Sequence, residues 1–559
     1  MVKFLLFICT LLILDCGAFQ GQSSKHSMAS PVPFSKGINF SSWFEYIPKS
    51  ASEIHNRYNE QDFADAKQLG FDVIRIPIDF YSFTSGAPDY QLDPLLIKLL
   101  DMTVDWAEKH QIYVIFDFHP ENQPVIDNSI RDFLLPVWQQ MAESFKNRGE
   151  YVIYEILNEP HGISAKDWGK IQGDVINAIR GIDQNHWIVV GGTSNNSINA
   201  LFSLPKYADK KLLYTFHYYE PYIFTHQGVD SLTNLTGVPF PYEKSRMPSV
   251  PTDLNGTWAE RTIKYKYFYE GTGKALERKI KNAAKFAKKR NVPVFCGEFG
   301  ALNRYSLPED RVTWHQYTRE ALEKNNLPWL KWSYYDCLGI FNSQLDGVFR
   351  WASPGDINID LNIELIRALG LTEIPQRQRE AVQSSFSIFE DSFSRGVSIY
   401  YPMENTVNLF YTPAAEGNYA IHLGDLHRID DRWDGLVLML SVMDLSYLVE
   451  NGYYLEFMAR KEKPFQIDVS FYNFQDNINW KKGFAVDDEQ IPPDGRWHTV
   501  RIPLEDMQTW GGIDNDTFQY VQALDEIVSW TKINMLEFIA VQEDNSIQDL
   551  YLDSIRITR

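Results

Sequence analysis

The sequence predicts two domains of different class: a (β/α)8 TIM barrel of the α/β type, followed by an all-β sandwich. Three observations predict this. At 559 residues the chain is too long for one core. From residue 36 to about 370, apolar stretches of strand length alternate with amphipathic ones. Beyond residue 385 the texture changes to short alternating stretches separated by turn residues.

The chain opens on "MVKFLLFICTLLILDCGAF", in which Lys3 precedes an apolar stretch too short to span a bilayer. It reads as a signal peptide, residues 1–18, with cleavage after Ala18. A lipidated Cys16 is the alternative, although Asp15 stands where a small residue is usual. Export is therefore expected, either free outside the cell or anchored at its surface. Residues 30–372 are assigned to the barrel. Its strand candidates are "KGINF" (36–40), "FDVIRIPI" (71–78), "IYVIFDFH" (112–119), "YVIYEILNE" (151–159), "HWIVVGG" (186–192), "LLYTFHYY" (212–219), "VPVFCGEF" (292–299) and "LPWLKWSY" (327–334). Several read as nearly continuous apolar runs, as strands covered on both faces should. An open doubly wound sheet would carry a Gly-rich phosphate turn after its first strand, and none is present. The longest insertion, 220–250, is rich in Pro, Gly and aromatics and reads as a cleft loop. The polar run at 373–385 reads as a linker. Segments such as "YYLEFMAR", "FQIDVSFYN" and "WHTVRIPL" then predict the sandwich, 386–559.

Composition narrows the function. The net charge is −20, from 53 basic against 73 acidic residues, with no basic patch, so nucleic acid is excluded as a partner. The basic run 278–290 has Ile280, Ala283, Ala284 and Ala287 at helical spacing and reads as a solvated helix face. No later segment is apolar enough to span a membrane, and a monomer is expected. Aromatic residues make up 14%, which suits either sugar platforms or large cores. Beyond the leader only Cys296 and Cys337 remain. Free thiols are expected, and no zinc spacing occurs.

The chemistry gathers at two strand tips. "YVIYEILNEP" is apolar on nearly every residue, yet ends on Asn158 and Glu159 before Pro160, which cannot continue a ladder. "VPVFCGEFG" ends the seventh strand on Glu298. In a parallel barrel the C-terminal strand tips share one cavity. Two carboxyl groups about 5–5.5 Å apart there can cleave a glycosidic bond with retention, whereas an inverting pair stands up to about 9.5 Å apart. Taken alone, a Glu before Pro is a turn residue, and lone histidines such as His119 and His217 are core residues. The convergence is what counts.

"EILNEPHG" and "VFCGEFG" resemble the two signature segments of the family 5 glycoside hydrolases, the cellulase family, over roughly residues 36–370. The resemblance implies a retaining endo-β-1,4-glucanase, with Glu159 as acid/base and Glu298 as nucleophile. It implies Arg75 in "DVIRIP" as support for the nucleophile, and His119 in "FDFH" on the glycone side. Asn158 would meet the sugar 2-hydroxyl. His217 and Tyr219 in "FHYYEP" would orient the acid/base and the nucleophile, and Trp332 in "LKWSYYD" would be a sugar platform. Glu45 and His226 are further cleft candidates. Pro120 and Ser42 depart from residues common in relatives. Mannan, xyloglucan or β-1,3-glucan remain alternative substrates, and a silent glycan-binding protein is the non-enzymatic alternative. No cofactor is required. The tail resembles jelly-roll carbohydrate-binding modules. Trp480 is its candidate sugar contact, and Asp391 and Asp553 are candidate ligands for a structural calcium ion.

Overall fold

The computed structural model describes residues 31–45, 57–120, 125–303, 305–342, 356–378, 380–394, 396–399, 406–426, 434–475, 478–514, 519–522, 529–541 and 548–559. The predicted leader and Cys16 lie outside them. Among the described residues no helix is long and apolar enough to cross a membrane.

Eight parallel strands close into a barrel in sequence order. They are β1 (Lys36–Asn39), β2 (Val73–Ile78), β3 (Tyr113–Phe118), β4 (Val152–Glu155), β5 (Trp187–Gly191), β6 (Leu212–Tyr218), β7 (Val294–Phe299) and β8 (Trp329–Lys331). Helices such as Pro94–His110 and Gly273–Arg290 return the chain between them. The second of these contains the basic run of the sequence. Ile280, Ala283 and Phe286 are buried there and most of the lysines face out, as their helical spacing requires, while Thr272 caps the start and Asn291 adopts a left-handed turn at the end.

Strand alternation divides the barrel interior into layers. At the bottom, Val73, Ile115, Ile153, Val189, Leu213, Phe295 and Leu330 form one apolar cluster, plugged by Phe34. Two residues further along these strands come Arg75, Asp117, Glu155, Gly191, Thr215 and Gly297, joined by Asn39 at the end of β1. The four side chains Asn39, Arg75, Asp117 and Glu155 are fully or almost fully buried. Gly297 is required at its position, since a Cβ there would lie 2.5 Å from Thr215 Oγ1.

The second domain holds β9 (Phe386–Phe389), β10 (Val397–Ile399), β11 (Thr406–Tyr411), β12 (Ala420–Leu426), β13 (Gly435–Met443), β14 (Tyr454–Arg460), β15 (Gln466–Gln475), β16 (Ile478–Val486), β17 (His498–Pro503), β18 (Gln508–Asp514), β19 (Tyr520–Val521), β20 (Ile533–Val541) and β21 (Gln548–Thr558). They form two antiparallel sheets. One runs β10-β13-β20-β15-β16-β18-β19, and the other β11-β12-β21-β14-β17 with β9 added on β21. Their inner faces meet through apolar residues, for example Phe457 on β14 edge-on to Phe538 on β20 at 5.1 Å.

Three readings of this domain are corrected or refined. Trp480 is only 4% exposed, so its face is not open to a sugar chain. It sits on β16 on the opposite side from Lys481, and its polar neighbours belong to the other face of the sheet. Asp391 accepts from the backbone N–H groups of Asn418 and Tyr419, at 2.5 and 2.9 Å. Asp553 is buried and accepts from the N–H groups of Ala415, Glu416 and Ser554. Both carboxylates thus face donors, not the ring of oxygens a calcium ion needs, and they pin one turn to the sandwich.

Candidate active site

The segment that carries Glu159 leaves the ladder earlier than the apolar pattern predicts. β4 stops at Glu155, and Asn158 then donates its backbone N–H to the Phe118 carbonyl. Glu159 adopts a left-handed conformation (φ 46°), rare for a residue with a Cβ and a strain of about 1–3 kcal/mol that the surrounding contacts must offset. The result lifts the Glu159 carboxyl off the strand and into the cleft.

Glu298 reaches the same cleft by another device. Phe295 faces the barrel interior, so strict alternation would put Gly297 inside and Glu298 outside. The register against β6 shifts between Phe216 and His217, so that Phe216 pairs with Cys296 but His217 pairs with Glu298. This bulge leaves Gly297 unopposed and turns Glu298 inward. A carboxylate oxygen of Glu159, one of Glu298 and a ring nitrogen of His217 lie within 4.8 Å of one another.

Each glutamate has its own setting. Glu298 Oε1 accepts from Arg75 Nη1 at 2.7 Å, and Oε2 accepts from the Tyr219 hydroxyl at 2.8 Å. Two strong donors thus fix the orientation of its carboxylate. Burial pushes the Glu159 carboxyl up to about 7, against weaker opposition from His119 and Arg75. His217 Nδ1 lies 2.6 Å from Glu159 Oε1 and 3.3 Å from Glu298 Oε2. Burial lowers the His217 imidazole to about 4, so it is neutral. Its Nε2 faces the Asn196 amide N–H at 3.5 Å and accepts, which leaves the proton on Nδ1. His217 therefore donates to Glu159 Oε1, and a proton on Glu159 is carried by Oε2.

Arg75 is the hub beneath them. It is completely buried and pairs with Glu298, with Glu155 at 2.7 Å and with Asp117 at 2.8 Å. It also donates to Asn39 and Asn158, each at 3.0 Å. Burial alone would lower its pKa, but the three carboxylates raise it well above the usual value. Burial likewise pushes Asp117 up to about 7 and lowers His119 to about 4. Neutral His119 donates Nδ1–H to Asp117 at 3.0 Å and accepts from the Asn158 amide at 3.2 Å on Nε2. With Oδ1 on Arg75 and one N–H on His119, Asn158 keeps a second N–H for a ligand.

The remaining predicted residues also have places. Trp332 is half-buried with its ring 5.4 Å from that of His119, and Lys331 Nζ holds its carbonyl at 2.5 Å. His226 stacks on Tyr222 at 4.1 Å and meets Tyr219 edge-on, which puts it on the same wall as Glu298. Glu45 is buried, not surface-exposed. Burial pushes it up to about 8, with Asp336 and Asp117 adding to the effect. Cys296 and Cys337 are free, as expected. Asn39, Asp117, Glu155 and Asn196 escaped the sequence reading. For the first three the signal was a charged or amide side chain at an inward position of an apolar strand, whereas Asn196 lies in the turn after β5 and had no such mark. Among the described residues, Glu159, His217 and Glu298 are the one group close enough to ligate a metal ion. Both Glu298 oxygens already accept from Arg75 and Tyr219, which opposes that use.

Two facing carboxyl groups at the C-terminal mouth of a (β/α)8 barrel, one beside donors and one desolvated, define a hydrolase site of glycosidase type. Residues 36–337 match the family described as cellulase, glycosyl hydrolase family 5. Endoglucanase 3 of Fibrobacter succinogenes is 29% identical over 325 residues, 54% of this chain and 49% of its own. The chain thus spans about half the length of that relative. Endoglucanase C of Acetivibrio thermocellus is 27% identical over 323 residues, 54% of this chain and 92% of its own. Among solved structures, cellulose synthase subunit Z of Clostridioides difficile aligns with a TM-score of 0.50 at 23% identity, covering 60% of this chain and 99% of that one, a likeness of fold. The chain belongs to the cellulase family, glycosyl hydrolase family 5.

Proposed function

We propose that the protein is an exported endo-β-1,4-glucanase that cleaves β-glucan chains by double displacement with retention. One observation carries the mechanism: carboxylate oxygens of Glu159 and Glu298 approach within 4.8 Å, short of the roughly 6.5–9.5 Å that separates an inverting pair. Glu298 attacks the anomeric carbon as Glu159 Oε2 gives its proton to the departing oxygen, and a glycosyl ester forms on Glu298. Glu159, now ionised, takes a proton from water. That water attacks the anomeric carbon and releases Glu298. The free N–H of Asn158 binds the sugar 2-hydroxyl, and Trp332 offers its face to the ring. The scheme uses neither metal nor organic cofactor. The β-1,4-glucan preference is supported by relatives named endoglucanases, and export by the leader sequence.

The test is proton NMR of the first product formed from barley β-glucan, beside reducing-sugar release from carboxymethylcellulose and mannan. An initial β-anomer and preference for the glucans are expected. An initial α-anomer would sink the mechanism, and faster mannan cleavage the substrate.

A further inference from the structure

The sandwich contains a pocket of about 290 Å³ that the barrel chemistry does not use. It lies on the face of the seven-stranded sheet turned away from the second sheet. Alternation decides this: Phe538 points inward to Phe457, so Glu537 points to the other side. Tyr472, Asn479, Lys481, Trp510, Tyr520 and Glu537 line it.

Four features show a built site. First, Lys481 pairs with Gly511 but Lys482 pairs with Thr509, so Trp510 is the unopposed residue of a bulge that aims its ring over the sheet. Second, the ring lies where the sheet has no side chain. A Cβ on Gly483 would come within 2.4 Å of Trp510 Cζ3. Third, Gly511 has φ +100° and lets Tyr520 close in, its hydroxyl donating to the Trp510 carbonyl at 2.8 Å while 68% of Tyr520 stays exposed. Fourth, the buried Glu537 forms an ion pair with Lys481. The Lys481 ammonium lies 5.4 Å from the Trp510 ring and 5.6 Å from Tyr472.

The fourth feature selects the ligand. The cation position against the rings is filled from within the chain, and the one buried carboxylate is neutralised by it. An incoming charge finds no unpaired opposite charge. A neutral ligand with an apolar face and several hydroxyls finds the half-buried Trp510 ring and the exposed Tyr520 ring beside the Lys481 ammonium and the Asn479 amide. The volume suits one or two sugar rings, at the small end of ligand sites. We propose that this pocket is a second carbohydrate site, which holds one or two neutral β-linked pyranose units of a glucan chain outside the barrel cleft. The choice of glucan rests on the glucanase reading of the barrel; the pocket chemistry does not.

The full-length Glu298→Gln protein, which should not consume its ligand, is run on native gels containing barley β-glucan. Trp510→Ala in that background is expected to weaken retention by about threefold to tenfold, Tyr520→Ala by less, and Trp510→Phe little. Trp510→Ala with Glu298 intact should hydrolyse an aryl cellobioside at an unchanged rate. Equal retention of all variants would overturn the proposal. So would displacement of the glucan by tetramethylammonium, which would make the pocket a cation cage. If Trp510→Ala melts early, Tyr520→Ala decides, since that ring sits at the rim. Loss of hydrolysis on every glucan with Trp510-dependent retention intact would sink the barrel reading and leave this site standing.

Discussion

Two layers of the barrel interior stand one pleat apart on the same strands. Below, Val73, Ile115 and Ile153 pack with Phe34 into an apolar plug. Above, Arg75, Asp117 and Glu155 are equally hidden from water but carry charge. Burial in the lower layer stabilises the fold directly, at about 25 cal/mol per Å² of apolar surface. In the upper layer it costs free energy, which one guanidinium facing three carboxylates offsets only in part. The same solvent exclusion is a source of stability in one layer and of shifted proton affinity in the next. The site is a layer of barrel core in which that cost is tolerated because it sets the protonation of Glu159 and holds Glu298 in place.

Substitutions can break or sharpen this contrast. Glu298→Gln should lower kcat on β-glucan by about 10⁴-fold or more, since no covalent intermediate can form. Glu159→Gln should cost about 10²–10⁴-fold on β-glucan but far less on an aryl cellobioside whose leaving group needs no proton. Equal losses on both would show that Glu159 is not the acid. Tyr219→Phe removes one hydrogen bond to the nucleophile, and a loss of about tenfold to a hundredfold is expected.

The pH dependence comes next. Glu159 must carry a proton to act, so kcat/KM should fall about tenfold per pH unit above about 7 and flatten in Glu159→Gln. Stability has the same sign. Glu159, Asp117 and Glu45 are raised to about 7, 7 and 8 by burial, so the folded state holds protons the unfolded chain releases near pH 4. Their contribution is full below pH 4 and lost as pH rises through 7 to 8. The melting temperature should decline across that window, and Glu45→Gln should remove the upper part of the decline. Smallest in activity is Ile153→Ala, in the lower layer. It should cost about 2–5 kcal/mol by chemical denaturation and leave kcat within about twofold. A hundredfold loss of kcat would erase the distinction between the layers.

Much of the barrel was legible because apolar runs and helical faces follow simple periods. Glu159 and Glu298 were legible because each interrupts such a run at its end. Asp117 and Glu155 were not, since a charge inside an apolar run acquires meaning only when neighbouring strands place Arg75 beside it. Trp480 and Trp510 show the other failure. Local polarity favoured Trp480, but facing is a matter of alternation, and the bulge that presents Trp510 leaves no mark in the sequence except a following pair of glycines.

The extra residue at Gly297 has a consequence for anyone who transplants or shortens the seventh strand. Which flank of that ribbon looks into the cleft is a question of parity. Straightening the strand into an unbroken ladder with the glycine retained would exchange odd for even, present Phe299 to the substrate and leave the nucleophile among the outer helices, although every functional side chain would still be encoded.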